Sequence, residues 1–200
     1  MANSKAPVGY RSVMYATYEI AGDVVTYAAP KPIIAAKSMT ATDNFASGDD
    51  FGDDILQESI EELQSTTLSI VFRSIPREIE AALQGHNYEN GAMNIVPGED
   101  IQKGVAILCE KRYSDGSADR IVYYNCKMKK EADNADGKTD AITFGTETLS
   151  GKAIPLVLES KTYFKYVLES DKVAEVGAEE NKKKYDAFFT KVQFADVAVS

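Results

Sequence analysis

His86 is the only histidine in the chain, so zinc sites built on paired imidazoles are excluded and a Ser-His triad has a single candidate base. It stands in Gly85-His86-Asn87-Tyr88, with no Gly-x-Ser-x-Gly elbow anywhere, and fits a surface or helix-capping residue better than a catalyst. Cys109 and Cys126 lack the Cys-x-x-Cys spacing of zinc or redox sites; they suit two reduced, half-buried thiols on neighbouring strands. Neither a Walker loop nor a dinucleotide fingerprint occurs. Asn134-Ala135-Asp136-Gly137 matches positions 3 to 6 of a calcium loop, but Ala132 and Thr143 fall at positions 1 and 12, where carboxylates are needed. Glu58, Glu61 and Glu62 offer acids for glycoside chemistry, yet the chain has no Trp for a sugar platform. The expectation is a structural protein and not an enzyme, without catalytic residues, metal or cofactor.

The strongest feature is a charge pattern. Between Lys37 and Arg73 lie Asp43, Asp49, Asp50, Asp53, Asp54, Glu58, Glu61 and Glu62, with no Lys, Arg or His among them. These eight account for nearly all of the formal charge of −9. So dense a set of like charges must face water, a wet cavity or an oppositely charged partner. Phe45 and Phe51 lie within the cluster, and aromatic side chains in a solvated segment find a partner surface. The acidic balance argues against sequence-specific nucleic-acid binding and against docking on an anionic membrane. The first residues, MANSKAPVGY, contain no apolar run of a signal peptide, and no segment approaches the length of a membrane span, so synthesis and retention in the cytoplasm are expected.

These residues must be positioned by strands. A chain of 200 residues with 44% hydrophobic content suits one domain with a sizeable core. Residues 11–20 alternate and turn through Ala21-Gly22-Asp23 into 24–27. Residues 33–42 are extended, and 43–54, rich in Asp and Gly, predict a long loop or hairpin tip. Segments 55–64 and 66–74 read as two strands in succession; in the second, Leu68, Ile70 and Phe72 face one way and Thr67, Ser69 and Val71 the other. A helix is expected over 76–84, stopped by Gly85. Strands 105–113 and 120–128 flank an Asp-Gly hairpin signal, followed by a charged loop at 127–138 and strands at 141–149 and 163–169. Tyr185, Phe188, Phe189 and Val192 share one helical stripe, predicting a helix over 179–190, with a final strand at 192–199.

This order of elements resembles the phage major tail protein family, the tail tube subunits of long non-contractile-tailed phages, and within it the phi13-like group. The similarity is carried by Gly9-Tyr10-Arg11 leading into residues 15–19, by Lys31-Pro32-Ile33-Ile34-Ala35-Ala36-Lys37, by the acidic segment 43–54, by 55–74 ending in Ile75-Pro76, and by the aromatic strand 162–168. It spans residues 9 to 195 and rests on order and texture rather than on one motif. It implies a mainly β fold, a β-sandwich or barrel-like core with one flanking helix, here with a long arm at about 40–56 and a C-terminal extension at about 170–200. It further implies a virion protein whose hexameric rings stack into a tube that conducts double-stranded DNA without binding it. Tape-measure, terminator and distal tail proteins would be its neighbours. On that basis Glu58, Glu61 and Glu62 are candidate channel-lining residues. Phe45, Asp49, Asp50, Phe51, Asp53 and Asp54 form a candidate contact arm, which a basic patch such as Lys127, Lys129 and Lys130 would receive. The inner tube of a contractile particle, a capsid decoration protein and an adhesive surface domain are the alternatives.

Overall fold

The computed structural model describes residues 5–22, 24–52, 55–132, 145–158 and 161–195, with backbone alone at 50–52 and 55–58. The chain is mainly β. Its strands are β1 (Pro7–Ala21), β2 (Val24–Tyr27), β3 (Lys31–Pro32), β4 (Ala36–Gly52) and β5 (Ile55–Phe72). After helix α1 (Arg77–Gln84) come β6 (Asn87–Glu89), β7 (Ala92–Asn94), β8 (Val105–Tyr113), β9 (Ala118–Lys130), β10 (Glu147–Ala153), β11 (Leu156–Leu158), β12 (Lys161–Tyr163) and β13 (Lys165–Glu169). Helix α2 (Glu179–Asp186) is last. One antiparallel sheet runs in the order β2-β1-β8-β9-β10-β5-β4, with β3 added to β1 and β13 to β9. It curls enough for β1 and β4 to approach each other. The pairs β6–β7 and β11–β12 are separate hairpins.

The middle of the sheet is buried on both faces. Val105, Ile107 and Cys109 of β8 join Leu68, Ile70 and Phe72 of β5 in one core, roofed by Leu83 of α1 and by Ile75. Ala106 and Leu108, the intervening residues of β8, face a second core with Val122, Tyr124, Phe188 and Val192. A strand covered on both sides reads as a continuous apolar run, which is why β8 is buried from Val105 through Glu110. Helix α1 ends where expected: Gly85 adopts φ +81 and its N–H bonds to the Ala81 carbonyl. A Cβ at Gly85 would also strike the Ile101 carbonyl, so the stop needs glycine for space as well as for conformation.

The second core is closed by the C-terminal segment. Arg120 lies over the Tyr185 and Phe189 rings at 4.0 and 4.9 Å, donates to the Tyr185 carbonyl, and pairs with the buried Glu110. Tyr124 stacks on Phe194 at 4.8 Å and donates to the Gln193 carbonyl. The expected stripe of Tyr185, Phe188, Phe189 and Val192 does face this core, but α2 itself stops at Asp186. Residues 187–190 are turns and 192–195 form no strand, because side chains anchored on Arg120 and Tyr124 dictate the path. Residues 196–200 lie outside the described residues.

Three other expectations change. Residues 43–52 form no loop: they continue β4 and pair with β5 down to Gly52↔Ile55. Asp and Gly have low strand propensity, and the continuous ladder with β5 overrides it. The expected break near Ser65 is instead a register irregularity inside one continuous β5, where Asn44 pairs with Ser65 and Phe45 with Leu63, leaving Gln64 unmatched. Residues 127–130, expected in a loop, finish β9, and β10 begins at Glu147. The calcium-like loop at 134–137 lies outside the described residues.

Candidate assembly surface

Strand β10 supports β5 only from Thr66 to Phe72. Beyond Thr66, β4 and β5 have each other and no further sheet partner among the described residues, so residues 44–52 and 55–65 leave the body as a two-stranded arm. Nine residues at strand rise make it about 30 Å long. Neither core includes a described side chain between Asp43 and Thr66. Two strands alone are marginal in water, because the ladder is formed without a buried face to offset chain entropy. Among the described residues nothing pairs with either outer edge of the arm, and each such edge is a row of open backbone groups.

The bulge at Gln64 sets which side each residue takes. Before it, Ser38, Thr40 and Thr42 of β4 lie beside Val71, Ser69 and Thr67 of β5 on the outer face, opposite the buried Met39, Leu68 and Ile70. After it, Phe45↔Leu63, Ser47↔Glu61 and Asp49↔Ser59 continue the core side, while Ala46↔Glu62 and Gly48↔Ile60 continue the outer side. Glu61 and Glu62 are therefore exposed on opposite faces and do not share one wall. Glu58 is in register with Asp50. The side chains of Asp50, Phe51 and Glu58, together with Asp53 and Asp54, lie outside the described residues.

Carboxylates on free strand edges discourage indiscriminate pairing, and this alone accounts for part of the charge. It does not account for the apolar residues between them. Phe45 is 58% exposed and Ile60 61%, one on each face. Ile60 stands opposite Gly48, which offers it no side chain to pack on. Asp49 accepts a hydrogen bond from the Ser59 hydroxyl at 2.6 Å, and Asp43, at the root, pairs with Lys165 at 3.3 Å and accepts from Thr66.

The basic patch differs in membership from the sequence expectation. Lys127 and Lys129 are exposed on the outer face of β9, but Lys130 points the other way, 5% exposed, 2.7 Å from Glu147 and 3.9 Å from Glu80. Its place is taken by Lys152, whose register partner is Lys127. Lys127, Lys129 and Lys152 line a groove of about 370 Å³ with Gln102, Gly151 and Ile154. Gly151 lets the strands close: a Cβ there would lie 2.0 Å from the Lys127 carbonyl oxygen. The i, i+2 spacing of Lys127 and Lys129 is visible in sequence, whereas Lys152 joins them only through β9–β10 register.

Cys109 and Cys126 are free and fully buried, beyond the half-burial expected of them; burial pushes the Cys109 thiol up to about 12 and raises Cys126 as well. His86 is 2.8 Å from Asp100, which also accepts from the Val96 N–H at 2.9 Å. These two bonds, the backbone one first, hold the Asp100 carboxyl below the usual carboxylate range. Among the described residues no group of His, Cys, Asp and Glu is arranged to hold a metal, and no helix is long and apolar enough to cross a membrane. Neither protein-family models nor curated proteins give a match to the chain.

Proposed function

We infer that this chain is a self-assembling structural protein, and propose that it is the tail tube subunit of a long-tailed phage, forming stacked rings that conduct the genome. One observation carries self-assembly. A two-stranded arm projects from a body that does not need it, and exposes Phe45 and Ile60 among carboxylates. An aromatic and a β-branched residue are held there at a cost in solubility that burial against a neighbour offsets. The phage-tail assignment is supported by the resemblance in element order and by the acidic, non-DNA-binding composition.

Electron microscopy of concentrated purified protein tests it. Hollow rings or tubes are expected; monodisperse monomers at all concentrations would favour a decoration or adhesive domain instead. Replacing residues 45–64 by an Asn-Gly turn between the register partners Asn44 and Ser65 should leave a folded body that forms no tubes. Tubes from that variant would remove the arm from assembly. Channel lining is separable because Glu61 and Glu62 take opposite faces. In assembled tails, Glu→Lys at whichever one lines the channel should slow genome ejection at low salt, since each inward ammonium, repeated around every ring, holds phosphates. Normal ejection from intact tails of both variants would exclude these two glutamates from the channel wall.

A further inference from the structure

The lysine groove on β9–β10 is an arrangement that a free subunit gains nothing from. Lys127 and Lys152 are direct cross-strand partners, and Lys129 is two residues along on the same face. Like charges placed opposite one another in a sheet repel. None of the three has an ion pair among the described residues, although other exposed bases such as Lys5, Lys172 and Lys182 each lie within 3.3 Å of a carboxylate. Gly151 presses the two strands together where a larger residue would hold them apart. The groove thus concentrates positive charge beside an apolar floor that includes Ile154.

The same molecule carries the complementary object. The described carboxylates of the arm are Asp49, Glu61 and Glu62, and the sequence adds five more acids with no base between Lys37 and Arg73. The arm's own acids do not serve its own groove. Lys152 is in register with Thr67, and Glu62 is five residues farther out on β5, roughly 15 Å away by strand rise. That exceeds the screening length of about 8 Å at physiological salt. Asp43 at the root is paired with Lys165, but beyond it the arm leads away from the groove, so its charge does not reach these three lysines of its own copy.

The geometry points to the groove of Lys127, Lys129 and Lys152 as the docking site for the acidic arm of a second copy of this chain. This rests on the self-assembly proposed above and names its receiving surface. The interface is heterologous, arm of one copy to groove of the next, so it propagates or closes into a ring instead of stopping at a two-fold dimer. Opposite charge would set register and speed encounter, while Ile60 or Phe45, whichever face of the arm meets the groove, supplies apolar contact once water is displaced.

The two halves are tested apart. A donor carries Lys127→Glu, Lys129→Glu and Lys152→Glu with its arm intact; an acceptor has residues 45–64 replaced by the Asn-Gly turn and its groove intact. Circular dichroism first confirms that each is folded. Each should be monomeric in sedimentation velocity, and their mixture should form a one-to-one complex that weakens as salt is raised. Reversing the groove should lower self-association about a hundredfold or more, because close charge pairs across an interface couple strongly. The milder Lys→Gln series at the same positions should weaken it in the same direction. Absence of the mixed complex overturns the proposal, as does a donor that self-assembles like the unmodified chain. In that second case loss of tubes in the acceptor would still leave the arm a contact, docking elsewhere. If the acceptor instead binds a 20-nucleotide single strand and not the donor, the groove is a nucleic-acid contact and the proposal fails. Should the unmodified chain form no rings or tubes while the mixture still gives its complex, the docking stands and tube building falls.

Discussion

The central strands β8 and β9 and the distal halves of β4 and β5 are the same kind of structure, an antiparallel ladder, held for different reasons. On β8 every residue from Val105 to Glu110 is buried, with Ile107 and Leu108 inserted into opposite cores. On the arm, Ser59 through Glu62 are exposed without interruption. Hydrogen bonds alone contribute little net stability, since water satisfies the same groups when the strand opens. The ladder of β8–β9 is locked by side-chain burial. That of the arm is held by local register alone, without a buried face among the described residues.

The largest expected effect tests where stability resides. Phe72→Ala, at a fully buried position in the first core, should cost about 3–5 kcal/mol in urea unfolding. Phe45→Ala, on the arm, should change the same measurement by less than about 0.5 kcal/mol while weakening self-association. A comparable loss at Phe45 would mean the arm belongs to the monomer's own fold.

A second contrast uses adjacent residues. Lys130→Met leaves the Glu147 carboxylate without its 2.7 Å partner in a largely buried setting and should destabilise by about 3 kcal/mol. Lys129→Met, one residue away on the open face, should be neutral to within about 0.5 kcal/mol. Equal effects would contradict the assignment of the two lysines to opposite faces.

Gly151→Ala should cost about 1–3 kcal/mol, because the new methyl meets backbone rather than a movable side-chain end. It should also reduce formation of the mixed complex by widening β9–β10 at the lysine groove. Normal stability would show that the strands are not held as closely as described.

The smallest effect concerns the loop that Asp100 ties to Val96 and His86. The folded carboxyl is held below its ordinary value, so its contribution is present above the unfolded carboxylate range near about pH 4 and is lost as pH falls through the lowered folded value. Hydrogen exchange at the Val96 amide should accelerate only at acid pH, and Asp100→Asn should remove that step. Unchanged exchange through the acid range would dissociate the loop's order from this carboxyl.

The sequence by itself determined the strands whose two faces differ, the hairpin at Asp115-Gly116 and the helix ended by Gly85. In each of these, local chemistry and burial point the same way. Leu68, Ile70 and Phe72 against Thr67, Ser69 and Val71 declare a half-buried strand without any tertiary information. The sequence also set Phe45 among carboxylates in a solvated segment, and the structure leaves it exposed. What only the tertiary structure decided is pairing. Residues 43–52 look like a loop because Asp and Gly disfavour strands individually, and they become a strand because β5 lies alongside them in register. Alternation alone separates Glu61 from Glu62, but it is one unmatched residue, Gln64, that turns Glu61 to the core side and Glu62 to the outer side. Lys152 reaches Lys127 across 24 intervening residues, and Lys130 is withdrawn to Glu147, for the same reason. Composition says what a strand prefers on each side, but which strand stands beside it is a long-range choice made by the whole sheet.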